Sequence, residues 1–285
     1  MLTFSASVAG SFSLRSLAAN EIAPMAMTAA RFVVAAVVMT GVVLISTPIP
    51  RGAWSAPWRY PVLGGLMAAY FALMFEGLKT APPVSSSAVF TLTPIMAAGF
   101  GWLLLRQVTT RRMALALAVG AVGALWVIFR ADWSAFLAFD IGRGEFIFFW
   151  GCMSHALYAP MVRFLNRGEP ALVFAMGTLI AGSGVMVILA WPDLRATNWW
   201  ALPSIVWICL FYVAIFATAA TFFLVQFSSL RLPAAKVMAY TYLTPSWVIC
   251  WEIALGNALP PALVLVGVTC TVVALVMLLK DEAPV

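Results

Sequence analysis

Charge is what this chain has least of. Charged residues make up 9% of its 285 positions, where a soluble domain carries about a quarter. With 64% hydrophobic residues and a mean hydropathy of +1.02, it holds more apolar surface than a soluble core of this size could bury. Histidine occurs once, at position 155, and the four cysteines (Cys152, Cys209, Cys250, Cys270) stand singly in apolar segments. No CxxC or Cys/His spacing is present, so no metal is expected. A Ser/His/Asp-type set and a phosphate-cradling glycine loop are also missing, and the loops are short. Neither an enzyme nor a cofactor is expected. Basic stretches interleaved with aromatics, which would bind nucleic acid, are absent too.

What is present is a series of apolar runs of spanning length. At about 20 residues per span, ten helices nearly fill the chain, near 2–18, 25–46, 60–79, 84–105, 113–130, 144–164, 171–191, 203–230, 234–255 and 262–279. The first run starts at Met1, lacks a basic n-region and is interrupted by Arg15, which predicts a retained helix rather than a cleaved signal peptide. Trp54, Trp58, Trp133, Trp191, Trp199 and Trp200 mark span ends as interfacial belts. The formal charge of +6 is carried mostly at span ends, as topogenic charge. If the N-terminus is inside, Arg51, Arg59, Arg106, Arg111, Arg112, Arg163, Arg167, Arg231, Lys236 and Lys280 fall on one side. Arg15, Arg31, Lys79, Arg130, Arg143 and Arg195 fall on the other. That excess predicts both termini in the cytoplasm of a bacterial-type inner membrane.

An internal repeat sets the architecture. Pro82-Pro83-Val84 through Leu92-Thr93-Pro94 matches Pro233-Ala234-Ala235 through Leu243-Thr244-Pro245 at an offset of 151 residues, and Arg15 matches Arg163 at an offset of 148. Two copies of five helices follow, 1–131 and 143–282. Five is odd, so the second copy enters the membrane from the opposite side. The predicted fold is an all-α integral membrane protein of ten transmembrane helices, as two inverted five-helix repeats around a central cavity. Inverted repeats characterise secondary transporters.

Pro94 and Pro245 read as mid-span kinks that free the carbonyls of Phe90 and Thr241. Freed backbone at depth is tolerated where it is packed in protein or lines a wet cavity, so both spans are expected to border the pathway. A bare kink healed by Thr93 and Thr244 is the alternative. His155 and Tyr158 share a face of the sixth span, where polar groups face the bundle interior or water; a satisfied structural histidine is the alternative. Ser7, the repeat partner of His155, shares a face with Ser11. Glu76, Glu145 and Glu252 lie near span ends, so no carboxylate is expected at the midplane. The predicted lining is Ser7, Ser11, Tyr70, Thr91, Thr93, His155, Tyr158, Thr218, Thr221 and Tyr242, which suits a neutral or zwitterionic solute with a variable apolar part.

Ten spans in two inverted halves resemble the drug/metabolite transporter superfamily with EamA-type repeats. The local pieces are Ala30-Arg31-Phe32, His155-Ala156-Leu157-Tyr158 with Arg163, and the two Leu-Thr-Pro motifs. Phe216-Ala217-Thr218-Ala219-Ala220 and Tyr242-Leu243-Thr244-Pro245 resemble the YddG-type aromatic amino-acid exporters. The resemblance implies export of amino acids by alternating access through a central cavity. Ser7, His155 and Thr93 stand where such exporters tend to have Trp, which implies a wider cavity and a range that includes aliphatic amino acids. An exporter of lipophilic cations or drugs, or a nucleotide-sugar carrier, is the alternative. The expected partners are the solute and the lipid bilayer, with the chain a monomer. Facilitated diffusion and proton exchange both remain open.

Overall fold

Runs of apolar residues closed by proline, glycine and polar residues become helices throughout. The computed structural model describes residues 1–18, 21–81, 89–129, 132–138, 142–254, 256 and 262–280, with the side chains of 11–18, 135–136, 252 and 279 outside that description. In chain order the helices are α1 (Leu2–Ala18), α2 (Pro24–Ser46), α3 (Arg59–Gly77), α4 (Thr93–Leu105) and α5 (Arg111–Ile128). A short α6 (Trp133–Leu137) is followed by α7 (Arg143–Leu165), α8 (Ala171–Leu189), the short α9 (Trp191–Ala196), α10 (Ser204–Ala214) and α11 (Thr221–Ser229). Last come α12 (Ala234–Ala239), α13 (Thr244–Ala254) and α14 (Val264–Leu279).

Local chemistry explains the ends. Pro24 opens α2 in its first turn, where a missing N–H costs no bond. The Thr110 hydroxyl accepts from Met113 N at 3.0 Å and caps α5. Arg106 closes α4 in the left-handed conformation, at φ 56°. The neighbouring Gln107 side chain then accepts from Ala234 N at 3.0 Å, so the end of α4 caps the start of α12.

Among the described residues, four helices are long and apolar enough to cross a membrane: α2, α5, α8 and the continuous stretch Ser204–Ser229. Two shorter apolar helices are Thr93–Leu105 and Val264–Leu278. The fourth and ninth expected spans are interrupted rather than kinked. The chain turns at Thr91 and Leu92, with Leu92 N donating to Val89 O at 3.1 Å, before α4 begins at Thr93. A 3-10 turn, Tyr240–Leu243, separates α12 from α13. Pro94 and Pro245 therefore stand in first turns and not in helix interiors. The Thr241 carbonyl is not freed, because Thr244 N donates to it. The physical reason is that a 3-10 turn moves the chain past the missing N–H without a clash. The proline inside a helix is Pro160 in α7, whose absent N–H leaves the Ala156 carbonyl without its usual donor.

Helices of the first half pack mainly on helices of the second. α5 runs along α14, α3 along α7 and α8, and α2 along α8 and α10. α4 meets α7 and α12, while α1 meets α13 and α10. Exchanging the halves maps this pattern onto itself: α3 with α7 becomes α10 with α1, and α4 with α7 becomes α13 with α1. Close crossings depend on glycine. A Cβ on Gly64 of α3 would stand 2.5 Å from Gly182 N and 2.7 Å from its Cα, in α8.

Candidate functional site

Where α1, α2, α3, α7 and α11 converge with the two interrupted segments, the packing leaves a cavity of ≈ 80 Å³. That is room for several waters, at the ~10–15 Å³ each needs. The first half contributes Phe4 and Val8 from α1, Arg31 from α2, Met67, Tyr70, Phe71 and Met74 from α3, and Phe90 ahead of α4. The second half contributes His155 and Tyr158 from α7, Ala217, Thr221, Phe222 and Val225 from the stretch Ser204–Ser229, and Thr241 from the 3-10 turn. Neither α5 nor α14 reaches it.

The lining is aromatic with a few fixed polar groups. His155 stacks on Tyr70, ring centroids 4.6 Å apart and planes 30° apart, with Phe90 at 5.5 Å. Its Nδ1 has no hydrogen-bond partner among the described residues, although the residue is only 7% exposed. A buried polar atom without a partner is uncommon, and this one belongs to a residue on the cavity wall. Tyr158 is fixed from behind: its hydroxyl accepts from Gln226 Nε2 at 2.9 Å, and the same nitrogen donates to Thr178 Oγ1 at 3.0 Å. Thr178 in turn donates to Phe174 O at 2.8 Å.

The continuous stretch Ser204–Ser229 changes its winding beside the cavity. Ile215–Ala220 is a π-helical turn, a feature that recurs at functional sites. The Thr218 hydroxyl donates to Val213 O at 2.9 Å, five residues back. The Thr221 hydroxyl donates to Ala217 O at 3.0 Å and shares Thr218 O at 3.1 Å. Thr241 donates to Met238 O at 2.7 Å. The protons of both lining threonines are thus engaged by backbone, and their lone pairs remain as acceptors.

Of the residues expected on the lining, the structure places Tyr70, His155, Tyr158 and Thr221 there. Thr91, Thr93 and Thr218 are buried off it, and Ser7 is half-buried off it. Tyr242 turns away and packs with Met113, Leu117, Ala235 and Ala239, because one step along a 3-10 turn moves a side chain about a third of a revolution. The Ser11 side chain lies outside the described residues. Sequence reasoning missed Arg31 as a lining residue. It was assigned to a span end, yet it is 3% exposed and sits seven residues into α2, with its guanidinium carbon 4.1 Å from the Phe71 centroid. An ionisable group inside a 23-residue apolar helix was the available signal. Gln226, fully buried in α11, carried the same kind of signal.

A second polar cluster lies at the end of the bundle where α3 begins and α7 ends. Arg59 and Glu169 form an ion pair at 2.5 Å, with side chains 1% and 3% exposed. Arg59 also donates to Leu165 O at 2.8 Å and to Ala56 O at 3.0 Å. Burial by itself pushes the Glu169 carboxyl up. Hydrogen bonds from Arg59, from Arg167 N and from its own N–H, with the Arg59 charge, outweigh this and hold it below its ordinary value.

The EamA-like transporter family matches this chain over residues 1–129 and 142–280. An uncharacterized transporter of Bacillus subtilis (strain 168), YyaM, is 24% identical over 260 residues, which are 90% of this chain and 85% of that protein. One solved crystal structure superposes with a TM-score of 0.79 at 18% identity, over 97% of this chain and 94% of the other, a likeness of fold.

Proposed function

The chain belongs to the EamA-like transporter family and is a multi-pass membrane transporter; from that premise we propose that it exports amino acids, aromatic and aliphatic, by alternating access through the central cavity. The observation that carries the reading is the pairing on the cavity wall. Tyr70 and Thr221, Phe71 and Phe222, Met74 and Val225, and Phe90 and Thr241 all stand 151 residues apart, and all eight line one cavity. This is what two halves of opposite orientation contribute when they exchange shapes around a shared site. In this reading ten spans form the repeats 1–131 and 143–282, with both termini cytoplasmic in the inner membrane and a monomer as the working unit.

The chemistry of the wall supports a small solute with an apolar side chain. The aromatic rings offer apolar surface, and the His155 nitrogen and the threonine lone pairs offer a few fixed polar contacts. The test is uptake of labelled threonine, methionine and phenylalanine into liposomes containing the purified chain. Saturable uptake of at least one is expected, and folded protein that carries none of the three would refute the reading.

A further inference from the structure

We propose that the cavity holds its solute in one orientation: Thr221 and Thr241 receive an N–H group, the amine of an amino acid, and the rings of Tyr70, Phe90 and His155 receive the apolar side chain. The inference rests on the cavity being the solute site. It adds which end of the solute each wall meets and which group the solute must carry.

The repeat supplies the first observation. Of the pairs 151 residues apart on the cavity wall, Phe71 with Phe222 and Met74 with Val225 keep their apolar character. The other two pairs change it. Tyr70 and Phe90 are rings in the first half, and the second half places Thr221 and Thr241 at the equivalent positions. Positions related by the repeat thus carry aromatic rings on one side of the cavity and small hydroxyls on the other.

The ring wall is continuous. The Tyr70 and Phe90 centroids are 6.1 Å apart, and His155 stacks on Tyr70 at 4.6 Å. Phe148 backs the cluster, 6.2 Å from Tyr70 and 6.5 Å from Phe90 with its plane 13° from the latter. Rings of this kind offer a large apolar area, and here packing already fixes them.

The hydroxyl wall has one sense. A threonine hydroxyl carries one proton and two lone pairs. The Thr221 proton is shared between Ala217 O at 3.0 Å and Thr218 O at 3.1 Å, and the Thr241 proton goes to Met238 O at 2.7 Å. Both residues border the cavity at 5% exposure. Each oxygen can therefore accept a further hydrogen bond, but can give one only by releasing a backbone carbonyl. An amine matches that pattern. A solute without an N–H leaves these lone pairs unmet in a space nearly closed to water, and leaving buried polar groups unpaired is the expensive outcome. Sites built to hydrogen-bond one group reject the analogue lacking it far more strongly than they reject a missing methylene. Arg31 also borders the cavity, but a guanidinium offers donors only and cannot receive an amine.

Uptake of labelled phenylalanine into liposomes holding the full chain, competed by unlabelled phenylalanine and by hydrocinnamate, tests this, because the two competitors differ only by the amine. Methionine with 4-(methylsulfanyl)butanoate serves in the same way if methionine is the better substrate. Hydrocinnamate is expected to compete about tenfold or more weakly, as for the loss of charge-assisted contacts. Thr221→Val with Thr241→Val is expected to bring the two within about threefold of one another, and serine at both positions, which keeps the oxygens, to retain the preference. Phe90→Leu is expected to raise the KM for phenylalanine about threefold to tenfold and that for threonine by less than about twofold, as for a lost aromatic contact. Equal competition by phenylalanine and hydrocinnamate on the unmodified protein overturns the inference, and needs no variant to fold. A preference that survives both valines also overturns it, because the amine is then read elsewhere. Equal losses for phenylalanine and threonine in Phe90→Leu overturn the orientation. Absence of saturable uptake for phenylalanine, methionine and threonine overturns the solute reading itself and this inference with it.

Discussion

His155 shows how much a single residue can carry in a bilayer. Its ring is held by Tyr70 at 4.6 Å, an aromatic contact that favours a fixed plane, while Nδ1 has no partner among the described residues. If the nitrogen serves the solute, its removal should weaken binding and leave the fold intact. His155→Phe preserves a ring for Tyr70 and deletes both nitrogens. The expected result is a KM raised about threefold to tenfold, the worth of one hydrogen bond of about 0.5–1.5 kcal/mol, with the melting temperature unchanged. An unchanged KM for every carried solute would return His155 to a structural role. The residue was legible in the sequence as a lone histidine in an apolar span. Arg31 was legible as an ionisable residue within a span, but its assignment to a span end hid it, since only the packing of Phe71 shows which way the guanidinium lies.

At the scale of elements, the cavity is made by departures from regular helix. The turn ahead of α4 supplies Phe90, the 3-10 turn between α12 and α13 supplies Thr241, and the π-helical turn Ile215–Ala220 supplies Ala217. Hydropathy marked the spans and the Leu-Thr-Pro motifs marked two of these sites. The π-helical turn had no such mark, because it is set by Thr218 bonding five residues back in a sequence that is apolar on all sides. Element packing also depends on approach distance. Gly64 and Gly65 are neighbours on α3, yet a Cβ at Gly64 would run into the backbone of Gly182, while nothing lies within 4 Å of one at Gly65. Gly64→Ala should therefore push α3 from α8 and destabilise by about 1–3 kcal/mol. Gly65→Ala should be neutral or stabilising by up to about 1 kcal/mol through helix propensity. Melting in detergent distinguishes the two, and equal effects would disprove the close crossing.

For the whole molecule, the Arg59–Glu169 pair matters because it fastens α3 of the first half to the connection between α7 and α8 of the second. Removing one partner leaves the other charge buried, which costs about 3–5 kcal/mol. Arg59→Met should lower the melting temperature, and Arg59→Met with Glu169→Leu should regain much of the loss, since two apolar side chains leave no buried charge. The pH dependence has a definite sign. The carboxyl sits below its ordinary value of 4.5, so its contribution is complete above that pH and disappears as the pH falls from 4.5 through the folded value. Melting profiles between pH 3 and pH 7 should show this loss in the wild type and lack it in Glu169→Gln. In the alternating-access reading proposed above, the halves must part at one end and then the other, so a latch at one end would also bias which state is populated. Glu169→Gln should accordingly alter transport rate as well as stability in the liposome assay.

Membrane residence, helical content and the repeat offset were determined by the sequence by itself. Each follows from local composition: apolar runs without charges exclude water-soluble folds, and two matching Leu-Thr-Pro motifs can be found without coordinates. The sequence also pointed to Tyr70, His155, Tyr158 and Thr221. Tertiary structure alone decided that Thr241 and not Tyr242 faces the cavity, that the two prolines start helices instead of kinking them, and that Arg31 is a wall residue. The reason is rotational. Hydropathy reports depth along a span, whereas facing depends on the angle about the helix axis, and in a chain apolar on every face that angle is set only by what packs against it.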